Sequence, residues 1–195
     1  MDHLRSVGVR RFIVNTHHCP DAYTQKFPDK SWRGLPIVFR YEPALLDTAG
    51  GLKNIEDLLC EDEAILCYNG DVIADIPLQK LLSFHEQKKP EATLILRSHG
   101  PLLNVSVNDR DEICDIRNLL ENPGARRCGF TGIYALETSI LQYIQAGKAE
   151  SVISTLLQRI AGYPGSVMGI TLDEGNWQDI GSIEAYERLR DTEIR

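Results

Sequence analysis

The sequence predicts an α/β fold: a doubly wound, mostly parallel sheet with helices on both faces and a small β-hairpin insertion. Three observations carry that prediction. Short apolar runs rich in β-branched residues alternate with helical periodicity through the first half of the 195 residues, the pattern of parallel strands joined by right-handed crossovers. A hairpin-like segment then interrupts the alternation. Helical periodicity returns near the end.

The chain opens inside a helix, where Leu4 and Val7 share a face and Gly8 supplies a left-handed stop. Residues 11–16 (RFIVNT) read as a strand, followed by the turn-like His17-His18-Cys19-Pro20 and a helix over 21–27. Residues 37–41 are the next strand. Residues 48–59 form a helix with Leu52, Ile55, Leu58 and Leu59 inward, and 64–68 a buried strand ending at Asn69-Gly70-Asp71. A helix over 78–87 and a strand over 92–97 continue the series. Residues 105–107 and 113–116 form the hairpin about a turn at 108–111, and 118–127 is a polar loop. Residues 129–136 are another strand, 152–160 an amphipathic helix with apolar positions 152, 153, 156, 157 and 160, and Ser182 caps a last helix. There is no internal repeat or linker, so the whole of 1–195 reads as one domain.

Composition narrows the function classes. The formal charge of −7 and only paired basic residues (Arg10-Arg11, Lys88-Lys89, Arg126-Arg127) argue against a nucleic-acid surface. The apolar runs are far shorter than the ~20 residues of a spanning helix, and no basic-then-apolar leader opens the chain, so no membrane partner and a cytoplasmic location are expected. Five cysteines with no C-x-x-C pair predict reduced thiols, mostly in the core. No G-x-S-x-G, H-E-x-x-H, P-loop or G-x-G-x-x-G motif occurs. His17, His18 and Cys19 have no spaced partners and read as loop residues rather than a metal site.

Ligands of open α/β sheets bind beyond the carboxyl ends of strands, which selects three places. Asn69-Gly70-Asp71 follows a buried strand, although any turn selects the same residues. In the run 42–53 two glycines, Gly50 and Gly51, stand at the mouth of a helix that Asp47 or Thr48 caps. Free N–H groups there favour anions, and two glycines exceed what a cap needs, so a ligand or another chain segment must approach closely. Asp179, in Trp177-Gln178-Asp179-Ile180-Gly181-Ser182, supplies a second carboxylate that can join Asp71 around one Mg²⁺.

Taken in order, FIVNTHH at 12–18, YEPALLDTAGGL at 41–52, YNGDVIAD at 68–75, GFTGIYAL at 129–136 and WQDIGSIEAY at 177–186 resemble the sugar-1-phosphate nucleotidyltransferase family. LLDTAGG is most similar to its mannose-1-phosphate guanylyltransferases and N-acetylmuramate 1-phosphate uridylyltransferases. The resemblance implies a Rossmann-like sheet of the nucleotide-diphospho-sugar transferase type. It implies transfer of a nucleoside monophosphate from a nucleoside triphosphate to a sugar 1-phosphate, with release of pyrophosphate. Asp71 and Asp179 become the catalytic metal ligands for Mg²⁺. Glu42, Thr48, Gly50 and Gly51 become base and ribose contacts, and Asn69, Thr131 and Gly132 contacts to the sugar phosphate.

Departures accompany the resemblance. The family's opening strand, its G-x-G-T/S-R-L loop and the following Lys-Pro signature lie upstream of the helix at which this chain starts. The fold is therefore expected with its first strand missing, between the 11–16 and 64–68 strands. Leu120-Glu121-Asn122-Pro123 replaces a Lys-Pro before GFTGIY, and Ser182 and Ile183 stand for threonine and proline. Three readings stay open: an enzyme shortened or completed by another chain; a non-catalytic nucleotide- or sugar-phosphate-binding relative, or a partner subunit forming a homo- or hetero-oligomer through the exposed gap in its sheet; and, weakest, a glycosyltransferase using an Asp-x-Asp pair, for which Asp71 and Asp75 are wrongly spaced.

Overall fold

The computed structural model describes residues 1–61 and 63–193. The chain divides into two compact units: residues 1–63 with 138–156, and 64–137 with 157–195.

In the first unit, β1 (Phe12–Thr16) pairs in parallel with β3 (Leu35–Tyr41), and β2 (Ser31–Trp32) adds antiparallel to the far side of β3. The helices are α1 (Asp2–Ser6), α2 (Pro20–Lys26) and α3 (Asp47–Asn54). Phe12, Ile37, Ala49, Leu52, Ile55, Ile140, Leu141 and Ile144 are all buried. The helix expected over 48–59 stops at Asn54 and tightens into a 3₁₀ turn over Glu56–Leu58, a common ending for a short helix. Lys53 fixes that turn, donating to Glu56 at 2.7 Å and to the Leu141 carbonyl at 3.1 Å.

The second unit is organised by β9 (Arg126–Glu137), whose C-terminal half lies between β4 (Ala64–Tyr68) and β6 (Ala92–Arg97), antiparallel to both. Its N-terminal half pairs with β7 (Val105–Val107), which pairs in turn with β8 (Ile113–Ile116). β10 (Val167–Thr171) runs parallel to β6, and β5 (Val72–Ala74) forms a separate ribbon with β11 (Trp177–Asp179). The other helices are α4 (Leu78–Lys88), α6 (Ile183–Glu193) and α5 (Val152–Gly162), the last divided between the units after Leu156. Leu78, Leu81, Leu94, Ile95, Leu96, Ile133 and Leu136 are fully buried, so this unit holds a continuous apolar core.

The α/β class stands, but the sheets are mixed rather than mostly parallel: among the described residues two ladders are parallel and six antiparallel. Around β9 the cause is the hairpin, which reverses the chain between β6 and β9 without a helical crossover. β9 also starts earlier than position 129, because Arg126 and Arg127 pair with Val107 and Ser106. They continue the ladder instead of forming a polar loop. β10 was not expected. Its alternation is interrupted by Gly169, which the packing demands, since a Cβ there would overlap the Leu96 side chain. All five cysteines are free, yet Cys19 and Cys60 are exposed and only Cys128 is buried, so most are not core thiols. No described helix is long and apolar enough to cross a membrane.

Candidate active site

In the first unit the candidate residues cluster where β3 leads into α3. Glu42 is buried at 4% exposure. One carboxylate oxygen accepts from the Asn15 side chain at 2.6 Å and the other from the Leu46 N–H at 3.1 Å. Its backbone carbonyl is hydrogen-bonded to the His17 ring at 2.8 Å. The Asn15 amide also reaches the Gly51 carbonyl at 3.0 Å, and a Cβ on Gly51 would lie 2.9 Å from the Glu42 carboxylate. Gly50 packs on Lys148, whose carbonyl a Cβ would overlap.

Of the two reasons that could require these glycines, the close approach of another chain segment is the one observed. The mouth of α3 is filled in the same way. The N–H groups of Ala49 and Gly50 donate to the Glu150 carbonyl at 2.8 and 3.2 Å, and the Thr48 N–H donates to Asp47 at 2.6 Å. Thr48 Oγ1 accepts from the Val152 N–H at 2.8 Å and so caps α5. The amides expected to attract an anion are satisfied inside the unit.

The second unit arranges its candidates differently. The β5–β11 register sets Val72 opposite Asp179, so Asp71 and Asp179 emerge at the same end of the ribbon. The Ile180 N–H donates to the Asp71 carbonyl at 2.8 Å, and the Gly181 N–H to the Asp179 carboxylate at 2.8 Å. A Cβ on Gly181 would lie 2.9 Å from Asp71 Oδ2 and 3.1 Å from Asp179 Oδ1. Two exposed carboxylates from distant positions thus converge on one glycine. Among the described residues no group of three or more His, Cys, Asp or Glu side chains could hold a metal. The pair by itself fits Mg²⁺, which takes one or two carboxylates and completes its shell with water and phosphate oxygens.

Asn69 and Gly132 are neighbours: the Asn69 N–H donates to the Gly132 carbonyl at 3.0 Å. Gly132 has φ 78°, and a Cβ there would stand 2.8 Å from the Asn69 amide, so any side chain at this position is strained. Thr131 is buried, its hydroxyl donating to the Ile95 carbonyl at 2.9 Å, while its own carbonyl accepts from the Trp177 indole at 2.9 Å. Trp177 therefore holds β11 against β9. On β4, Cys67 is half-buried as a residue, but its thiol is desolvated beside the buried Tyr134 phenol of β9 and is pushed up to about 12; the phenol is raised for the same reason.

Sequence reasoning missed Asn15, which ties Glu42 to Gly51, and Asn176, which ties Asp75 to the start of β11. Asn15 ends an apolar run in the manner of Asn69, and that position was the available signal. Nothing local marks Asn176, because its partner lies 101 residues away.

Comparison with known proteins decides the family. The nucleotidyl transferase model matches residues 1–193. The chain belongs to the nucleotidyl transferase family. Within this family, a mannose-1-phosphate guanylyltransferase of Mycobacterium tuberculosis is 26% identical over 191 residues, covering 96% of this chain and 53% of the relative. A UTP–glucose-1-phosphate uridylyltransferase of Synechocystis is 25% identical, covering 94% and 51%. The chain thus spans about half the length of the curated relatives it matches. Among solved structures, a putative glucose-1-phosphate thymidylyltransferase from Bacillus anthracis superposes with a TM-score of 0.77 at 18% identity, over 97% of this chain and 78% of that one. HddC from Yersinia pseudotuberculosis, complexed with GMP-PN, gives 0.74 at 17%, over 98% and 82%. These likenesses establish the nucleotide-diphospho-sugar transferase type of fold.

Proposed function

We propose that this chain is a single nucleotidyltransferase-like domain, over residues 1–195, of a sugar-1-phosphate nucleotidyltransferase working in the cytoplasm. The observation that carries the reading is the convergence of Asp71 and Asp179 beside Gly181 in a chain of this family. A phosphate oxygen of the sugar 1-phosphate attacks the α-phosphorus of a nucleoside triphosphate. A new P–O bond forms, the α–β bridge breaks, and pyrophosphate leaves. Asp71 and Asp179 are the residues that would hold Mg²⁺, which when bound neutralises the charge developing on the phosphate oxygens.

Asn69 and Gly132 shape a rigid neighbourhood for the sugar phosphate, with Thr131 locked behind them. The loop that Glu42 closes and Thr48, Gly50 and Gly51 brace is assigned to base and ribose. Catalysis here is positioning and electrostatics, so rigid placement is the protein's main contribution. Free cysteines suit a reducing compartment.

The test is pyrophosphate release with Mg²⁺, the four common nucleoside triphosphates plus dTTP, and a panel of sugar 1-phosphates. Turnover that Asp71→Ala and Asp179→Ala each abolish is the expected result; no release with any pair overturns the catalytic reading.

A second reading, a non-catalytic relative or partner subunit, draws on one observation. β4, with the sequence AILCY, is apolar, yet four of its residues are only half-buried and Ala64 is exposed; among the described residues its one ladder is with β9. An apolar strand with an open edge recruits another strand. Sedimentation equilibrium would reveal the homo- or hetero-oligomer this reading requires, and a strictly monomeric chain would exclude the homo-oligomer.

A further inference from the structure

The ribbon that carries Asp179 is very short. β5 and β11 meet at three residue pairs, and a two-stranded ribbon is marginal by itself. Its register nonetheless matters, because a slip of one residue would turn Asp179 to the opposite face. At one end the register is held by the Ile180 N–H on the Asp71 carbonyl.

At the other end stands Asp75. Its N–H donates to the Asn176 carbonyl at 3.2 Å. In return the Asn176 backbone N–H donates to Asp75 Oδ1, and the Asn176 side-chain amide to Oδ2 at 3.0 Å. Gly175 makes room for this grip: it has φ 74°, and a Cβ there would lie 2.5 Å from Asp75 Oδ1. Arg97 braces the loop from behind, one guanidinium nitrogen donating to the carbonyls of Leu172, Glu174 and Gly175 at 3.1 to 3.2 Å. Both carboxylate oxygens of Asp75 are thus engaged by the residue that immediately precedes β11.

We propose that Asp75 is a positioning residue for the metal-binding pair, acting through Asn176 to fix the strand that holds Asp179 beside Asp71. The inference rests on the reading that Asp71 and Asp179 hold a divalent cation. It assigns to the second aspartate of the Asp71-to-Asp75 run a part that is not ligation.

The experiment is Mn²⁺ binding, followed by water-proton relaxation, together with amide hydrogen exchange on the same proteins. Wild type binds and Asp71→Ala does not. Asp75→Ala weakens binding about tenfold, the scale of outer-shell losses at metal sites, and speeds exchange at the Gln178 and Asp179 amides while β6 stays protected. Asn176→Ala, which leaves the charge in place, weakens binding severalfold. The exchange of partners, Asp75→Asn with Asn176→Asp, keeps an acceptor at position 75 for the backbone N–H of position 176, restores the one side-chain to side-chain bond with reversed polarity, and returns affinity to within about twofold of wild type. Should Asp75→Ala fail to fold, Asp75→Asn carries the same comparison through the loss of one bond. Wild-type affinity in the Asp75 variants overturns the positioning role. A loss in Asp75→Ala with none in Asn176→Ala assigns the effect to charge and overturns it too. A wild-type chain that binds no Mn²⁺, or an Asp71→Ala chain that binds it normally, overturns the metal reading itself, and the positioning role with it.

Discussion

The loop and helix mouth around Glu42 and the ribbon end around Asp71 carry similar polar residues and glycines, yet the fold uses them in opposite ways. At the first, every group the sequence marks as a candidate faces another part of the same unit: Glu42 faces Asn15 and Leu46, Thr48 faces Val152, Gly50 faces Lys148. At the second, two carboxylates stand exposed on either side of a glycine, held by backbone contacts behind them. A polar residue that is buried and satisfied contributes rigidity. One that is exposed and oriented remains available to a ligand. The same motif chemistry is therefore held inside the fold in one place and left exposed at its surface in the other.

That contrast breaks most visibly under substitution. Gly50→Ala forces a methyl group into the Lys148 carbonyl, and overpacking of this kind costs about 1–3 kcal/mol. Gly70→Ala, which meets nothing within 4 Å, should stay within about 0.5 kcal/mol of wild type; urea denaturation of the two variants measures the difference. Glu42→Ala leaves the Leu46 N–H and Asn15 amide without their buried acceptor, a loss of about 1–3 kcal/mol on the same titration. Asp71→Ala, by contrast, removes an exposed side chain and should leave stability within about 0.5 kcal/mol. Its effect is instead on the metal: added Mg²⁺ raises the melting temperature of wild type and not of this variant.

A pH titration sharpens the comparison within the second unit. The folded Cys67 thiol is pushed up to about 12, above its ordinary 9.0. Between those values the unfolded chain releases a proton that the folded chain retains. Stability is therefore full below about pH 9 and falls as pH rises toward about 12. Cys67→Ala should flatten that part of a stability-against-pH curve measured by thermal melting.

Much of this was legible in order along the chain. Apolar runs located β1, β3, β4, β6 and the hairpin, because a short apolar run bounded by turn residues marks a strand even where its burial does not alternate. The spacing 152, 153, 156, 157 and 160 located a helix; four of those residues are buried and Leu157 is half-buried. Ser182 was legible as a cap, and its hydroxyl accepts from the Ala185 N–H at 3.1 Å. β10 was not, since Gly169 is chosen by Leu96 on a neighbouring strand rather than by its own segment. Nor was the direction of β9, which depends on how the hairpin returns.

The sequence by itself determined the α/β class, the family and the two aspartates worth watching, because strand periodicity, glycines and carboxylates leave local marks. Only the tertiary structure decided that Asp71 and Asp179 meet at Gly181, that the amides at the mouth of α3 are already taken, and that Asp75 holds Asn176 rather than standing open. Each of those outcomes depends on pairing between residues about a hundred positions apart. Hydrogen bonds at such separations are fixed by strand register and packing, which no short window of sequence encodes.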